Sequence, residues 1–471
     1  MSHRLPEPEP KHELPPRAER PRRESAPRAA ESSHHHHHDH GGELPGQLTR
    51  YAKPLVVGVL AVAALAIGIG AVLLWPSHAE RPIPMQFRSA TGGPIQAVDA
   101  EVVSQTKADC SAPAIGVASS DLPTLPSEQG PCRASTLQLT SGPDRDKYVL
   151  LMVATNAAQS TSDNAPPGLS TPTSGAPDDP QPGQPKLEVG DKIRVTASPG
   201  ADGAQRYSFY DYQRGTGLIW WAIAFVLAIV AVATWRGARA IAALGVAFLV
   251  LGFFTLPSVL DGHSVVAVAV VSAGAILFAV LYLAHGFSLR TSSALLGTLA
   301  SLVLAVVLSK LAISTLSLTG LSTESTASLQ LYQGTISLNG LLLAGFVIGT
   351  IGVLNDVTIT QASATFELAA IPGQTRLSAF RAAMRVGRDH IASTVYTLVF
   401  AYAGSALPLL LLFSVASQPF GSLITSEEVA IELARAFVGG IAIAGSVPLT
   451  TAIAAALVVP GVPAERAAAT A

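Results

Sequence analysis

The residues of this chain best suited to chemistry lie between Gly345 and Leu368, GFVIGTIGVLNDVTITQASATFEL, where acid enters an otherwise apolar half of the sequence. On a helix, Asp356, Thr360, Ser363 and Glu367 fall at i, i+4, i+7 and i+11, and the 3.6-residue period brings them onto one face. That face is a polar stripe with a carboxylate at each end, and Asn355 adjoins it. Ahead of it Gly345, Gly349 and Gly352 give a small-residue face of the kind on which a neighbouring membrane helix packs closely. A carboxylate at membrane depth is costly to desolvate, so the stripe predicts an ion or substrate site. The bland alternative is that Asn355 and Asp356 end one helix at the cytoplasmic surface and cap the next.

Other motifs are weaker. Gly404, Ser405 and Pro408, and again Gly445, Ser446 and Pro448, sit inside apolar runs, where proline removes a helix hydrogen bond. Each predicts a helix break whose freed carbonyls line a cavity, although membrane helices also use Gly and Pro for packing alone. Arg381, Arg385 and Arg388 recur at helical spacing beside Leu377, Phe380 and Met384, which predicts an interfacial helix with arginines reaching lipid phosphates. A gate for acidic substrates is the alternative reading. His263, His285 and His390 fall in different loops on both sides of the membrane, so no metal centre is expected from them. With no G-x-G-x-x-G after a strand, no P-loop, no H-E-x-x-H and no G-x-S-x-G, neither an enzyme nor a nameable cofactor is expected.

The elements that would position these residues are membrane helices. Of 471 residues 49% are hydrophobic and 13% charged, against roughly 25% charged in soluble domains. Runs long enough to span the bilayer read as Leu55–Trp75, Leu218–Thr234, Ala240–Leu256, Ser264–Ala284, Ser292–Ile313, Ile336–Leu354, Ile391–Phe413 and Ala436–Val459, about eight transmembrane helices. Alternate loops carry Arg236 and Arg239, Arg290, then Arg376, Arg381, Arg385 and Arg388. The intervening loops, near 257–263, 314–335 and 414–434, hold no Lys or Arg, with Lys310 and Arg435 at their edges. The positive-inside rule therefore places both termini in the cytoplasm, and Trp75, Trp220, Trp221 and Trp235 fall at span ends as interfacial rings should.

Residues 1–53 are rich in Pro, Glu, Arg and Ser and read as a disordered cytoplasmic tail. His34 to His38, with Asp39 and His40, read as a low-complexity tract that chelates metal incidentally, a purification tag being the alternative. Residues 54–76 form an anchor, since the run is too long and too far from the start for a signal peptide, although Ser77-His78-Ala79 imitates a cleavage site. Residues 77–215 make an extracytoplasmic domain with strands expected at Ile95–Ser104, Cys132–Thr140, Lys147–Thr155, Leu187–Ser198 and Gln205–Tyr212, a pattern that suggests an OB-like β-barrel. A flexible insertion interrupts it near 159–184. Cys110 and Cys132 both lie in this outer segment, which predicts a single disulfide, with two free thiols as the alternative. The seven-helix membrane domain follows at 216–460, and 461–471 form a cytoplasmic tail.

Four blocks in order resemble one family. Gly352-Val-Leu-Asn-Asp356 through Ser363 with Phe366-Glu367-Leu368, then Val386-Gly-Arg-Asp-His390, then Ala401-Tyr-Ala-Gly-Ser405 with Pro408, then Gly445-Ser-Val-Pro-Leu-Thr450, are similar to the YibE/F family of bacterial membrane proteins. The resemblance covers about 215–460. It implies a bacterial plasma membrane and a helical fold, and it maps the family's Asp and Glu onto Asp356 and Glu367, but it implies no reaction. The leading function is transport of an ion or small solute through the bundle. The alternative is a non-transporting envelope scaffold whose outer domain binds a protein or glycan. Expected partners are the lipid bilayer, the solute and a cell-envelope component, and not nucleic acid, since no basic face is present.

Overall fold

The computed structural model describes residues 45–77, 83–84, 87–89, 93–111, 114–124, 129–159, 175–199, 205–322, 324–334, 336–415 and 419–460. The histidine tract, nearly all of the tail around it, His78 and Ala79, residues 160–174 of the insertion and residues 461–471 lie outside the described residues. The chain divides into Met1–Gly46 and Gln47–Ala471, and the architecture below is that of the second unit.

Alternating apolar residues build a small sheet. Strands β1 (Ala97–Ala108), β2 (Ala118–Ser119), β3 (Cys132–Leu139), β4 (Tyr148–Ala154), β5 (Lys192–Pro199) and β6 (Gln205–Tyr212) run in the order β2-β4-β3-β1-β5-β6. Every neighbouring pair is antiparallel. Val98, Ala100 and Val102 share one face of β1 and meet Leu137, Val149, Leu151, Ile193, Val195 and Tyr207 in one core. The expected barrel does not close. β2 has only two residues, and its side of the sheet reaches β6 through a single bridge, Val117 to Arg206, instead of a ladder. Cys110 and Cys132 are disulfide-bonded across 5.2 Å between Cα atoms, tying the end of β1 to the start of β3.

One polar cluster closes this core. The buried Tyr207 donates its hydroxyl to Asp144 at 2.7 Å, and Lys147 Nζ meets the same carboxylate at 2.8 Å. The Lys147 bond, then the Tyr207 bond, hold Asp144 below the usual carboxylate range. Burial, then the Asp144 hydrogen bond, push the Tyr207 phenol up. A depressed carboxylate adds stability above its unfolded pKa that is lost on acidification, whereas a raised phenol adds stability below its unfolded pKa that is lost in alkali. Asp144→Asn is therefore expected to flatten the acid limb of full-chain thermal stability below about pH 4. The effect should be about 0.5 kcal/mol, because solvent reaches the pair. Equal acid sensitivity in wild type and variant would contradict the assignment.

Long helices carry the rest: α1 (Pro45–Leu73), α2 (Gly215–Leu249), α3 (Val265–His285), α4 (Leu289–Thr315), α5 (Leu338–Ala369), α6 (Arg376–Ser405), α7 (Leu407–Val415) and α8 (Glu427–Leu457). Among the described residues six helical stretches are long and apolar enough to cross a membrane, or seven if α6 and α7, bent by 56° at their junction, count as one span. The expected eight differ because Leu218–Thr234 and Ala240–Leu256 are arms of one 46-residue stretch, Gly215–Leu260. It is not straight. Thr234 takes φ 53° and ψ −134°, and a Cβ at Gly237 would lie 2.6 Å from the Ile229 carbonyl oxygen, eight residues earlier, where a straight helix would separate the two by about 12 Å. Further on, a π-turn at Val250–Thr255 is stabilised by the Thr255 hydroxyl, which bonds Val250 O and Ser272 Oγ.

The loops gather at two ends. Ser258 donates to Leu74 O and Ser77 to Asp261, so the end of α1 meets the end of the α2 stretch. Glu427 accepts from Thr319 N and Gly320 N at 2.6 and 2.7 Å, joining the start of α8 to the loop after α4. These are the loops without Lys or Arg. At the opposite end Arg239 caps α3 through Leu283 O, Arg290 meets Glu367, and Arg376 donates to Val458 O. The core lies between, with α5 packed against α3, α4, α6 and α8. Phe346, Leu277, Leu295 and Val347 are fully buried there.

Candidate functional site

Helix α5 runs unbroken through Asn355 and Asp356, so neither ends a helix or caps one. The predicted stripe is real as a face: Asp356, Thr360 and Glu367 are exposed and Ser363 half-buried along one side. It is not enclosed. α3, α4, α6 and α8 cover the rest of α5, and the stripe side opens outward between α3 and α6. The glycines above it are not a helix contact. A Cβ on Gly345 or Gly352 would meet nothing within 4 Å, and one on Gly349 only the Tyr402 hydroxyl, at 3.3 Å.

Charge is spaced along this open face. At its lower end Glu367 is tied to Arg290 at 2.5 Å. Higher up, none of the described residues hydrogen-bonds or ion-pairs with Asp356. Asn355, about 100° round the helix from Asp356, keeps a buried Oδ1 without a partner among the described residues. No group of three or more His, Cys, Asp or Glu suited to a metal occurs among the described residues. Near the other end of α3 and α5, Gly262, His263, Ser264, Ile336, Ser337 and Gly340 line a cavity of about 170 Å³, smaller than the roughly 300 Å³ at which small-molecule pockets begin.

Behind the stripe lies a buried polar layer that sequence reasoning missed. Gln361, 2% exposed, donates from Nε2 to Ala383 O on α6 at 2.9 Å and to Thr451 Oγ1 on α8 at 2.7 Å. Thr298 on α4 and Thr358 share a 2.6 Å hydroxyl contact. These uncharged groups join helices where glycine allows close approach: a Cβ at Gly297 would lie 2.1 Å from Thr450 Oγ1, and one at Gly387 2.5 Å from Val447 and 2.9 Å from Gln361. Lone Thr and Gln residues in apolar runs carry little sequence signal, although Thr358, Gln361 and Thr365 of the stripe region are all buried, away from the open face.

A second omission is a charged pair within α8. Arg435 Nη1 donates to both Glu432 carboxylate oxygens at 2.8 and 2.9 Å. Its guanidinium carbon stands 5.6 Å from the Phe346 ring and 5.5 Å from that of Tyr402. α8 starts at Glu427, nine residues before the expected Ala436, so this pair lies inside the helix and not in a loop. The acid-base spacing of i and i+3 was the available signal. Of the two expected breaks, Gly404, Ser405 and Pro408 lie at the α6–α7 bend, whereas α8 passes through Gly445, Ser446 and Pro448 without interruption. Arg381, Arg385 and Arg388 are exposed on α6, which continues into the span instead of lying apart from it.

Long apolar helices wrapped around α5, with a small antiparallel sheet between α1 and α2, define a multi-pass helical membrane protein. Residues 221–460 match the family model described as YibE/F-like protein, and the chain belongs to that family. No curated protein and no solved structure matches it.

Proposed function

We propose that this chain moves an ion or small solute across the bacterial plasma membrane along the open face of α5, with Asp356 as the charged group that engages it. Thr360 and Ser363 supply neutral oxygens further along the same face, and Glu367 with Arg290 closes the cytoplasmic end. The observation that carries this reading is the unpaired, exposed Asp356 nearly in the middle of a 32-residue apolar helix. A carboxylate facing lipid costs about 2.5–3.5 kcal/mol on insertion scales. Facing water or a cation along a transport path removes that cost. The test is flux into proteoliposomes holding the full chain or its Asp356→Asn variant. Saturable, cation-dependent flux in the wild type alone supports transport, and its absence from both favours the scaffold.

The same reading gives eight crossings, the two arms of Gly215–Leu260 counting separately, with the β domain extracytoplasmic and both termini inside. Arginine at one end of the bundle supports it, as do Trp75, Trp220, Trp221 and Trp235, all exposed at helix ends or at the Thr234 kink. A reporter active only outside the cytoplasm is expected to be silent when fused after Ala471 and active when inserted near residue 160. The reverse pattern would overturn the orientation.

A further inference from the structure

Arg435 is only half matched by its acid. It lies about 12 Å along α8 from the helix start by the 1.5 Å rise, within a stretch long and apolar enough to span the membrane. Glu432, on the same helix, reaches only Nη1, while Nε is buried and has no acceptor among the described residues. Phe346 and Tyr402 hold the guanidinium near their rings. Such contacts use the faces of the cation and leave its hydrogen-bonding edge for a coplanar, two-oxygen acceptor. Tyr402 also places its hydroxyl over Gly349, on the open face two turns above Asp356, and it lies three residues before the end of α6 at the α6–α7 bend. Buried guanidinium donors are ordinarily filled.

We propose that Arg435, with Tyr402, binds the oxyanion group, carboxylate or phosphate, of a soluble acidic solute that travels along the open face of α5. Glu432 holds the guanidinium until the solute arrives and competes with it for the same cation. This deepens the transport reading and rests on it: the solute is acidic, and Asp356 takes the cation or proton that moves with it.

The test uses the full chain in phosphatidylcholine nanodiscs, titrated at constant ionic strength with inorganic phosphate, acetate or chloride, while the thermal midpoint is followed. Phosphate or acetate is expected to stabilise saturably where chloride does not. Arg435→Gln should weaken that binding about tenfold or more, as loss of a charge-assisted fork does. Glu432→Gln should tighten it about threefold, because a competing carboxylate is gone. Glu432→Gln keeps Arg435, so it decides the matter even where Arg435→Gln does not fold. A parallel titration of detergent-solubilised protein with phosphatidylglycerol separates the sources. Stabilisation by that lipid alone assigns the site to a headgroup and overturns the proposal. No response to either soluble anion, or a response unchanged in both variants, also overturns it. Binding is read without flux, so anion binding without flux removes transport and keeps the site, while Asp356-dependent flux without anion binding does the reverse.

Discussion

Gly297→Val is expected to lower the stability of the fold by about 2–6 kcal/mol. At Gly297 the first added carbon would meet Thr450 at its Oγ1, its Cβ and its backbone Cα, at 2.1, 2.9 and 3.1 Å. A rotamer change relieves the first contact and not the last, so α4 and α8 must separate. Their separation strains the neighbouring contacts, where Thr298 meets Thr358 and Gln361 bonds α6 and α8. Overpacking costs about 1–3 kcal/mol in typical cores, and loss of buried amide bonds adds about 1–3 kcal/mol more. Against a total stability of roughly 5–15 kcal/mol, the combined loss of about 2–6 kcal/mol is a large fraction and lowers the thermal midpoint by several degrees. Gly345→Ala and Gly352→Ala have the opposite expectation, because nothing lies within 4 Å of either position. Replacing glycine in a helix should raise stability by about 0.5–1 kcal/mol. Thermal unfolding of the full chain in nanodiscs checks both signs, and a Gly297→Val midpoint within a degree of wild type would refute the tight α4–α8 contact.

The glycines show what the sequence left illegible. Gly345, Gly349 and Gly352 have the spacing of a helix contact, yet close approaches occur elsewhere, at positions such as Gly297 and Gly387, which no spacing distinguishes. Periodicity fixes which residues share a face of α5 and not which neighbour that face meets, so the stripe was legible and its outward aspect was not. Apolar run length located the spans, but it began the last one only at Ala436, because Glu427, Glu432 and Arg435 lower hydropathy. Their partners restore the helix: Glu432 with Arg435, and Glu427 with Thr319 and Gly320. Strand alternation likewise placed four of the six strands closely and started β5 five residues early. It said nothing of closure, since that depends on the two-residue β2. The family blocks fall within the matched region, 221–460, and carry Asp356 and Glu367, but not the Glu432–Arg435 pair.

Asp356 and Glu367 share a stripe, and their surroundings separate their roles. Glu367 is held by Arg290 at the end of α5, where losing its charge leaves an arginine free to turn to water or lipid phosphate. Asp356 has no such partner and lies eleven residues, or about 16 Å, further along the helix from that end. Asp356→Asn preserves size and hydrogen-bonding groups and removes only the charge, so insertion and abundance should stay near wild type. The deciding measurement is cation-dependent flux through the reconstituted full chain, compared among wild type, Asp356→Asn and Glu367→Gln. Transport along α5 predicts a loss of about tenfold or more for Asp356→Asn, as removal of the charge that engages the cation requires, with a several-fold smaller effect for Glu367→Gln. Equal flux in wild type and Asp356→Asn under every cation tested would contradict it.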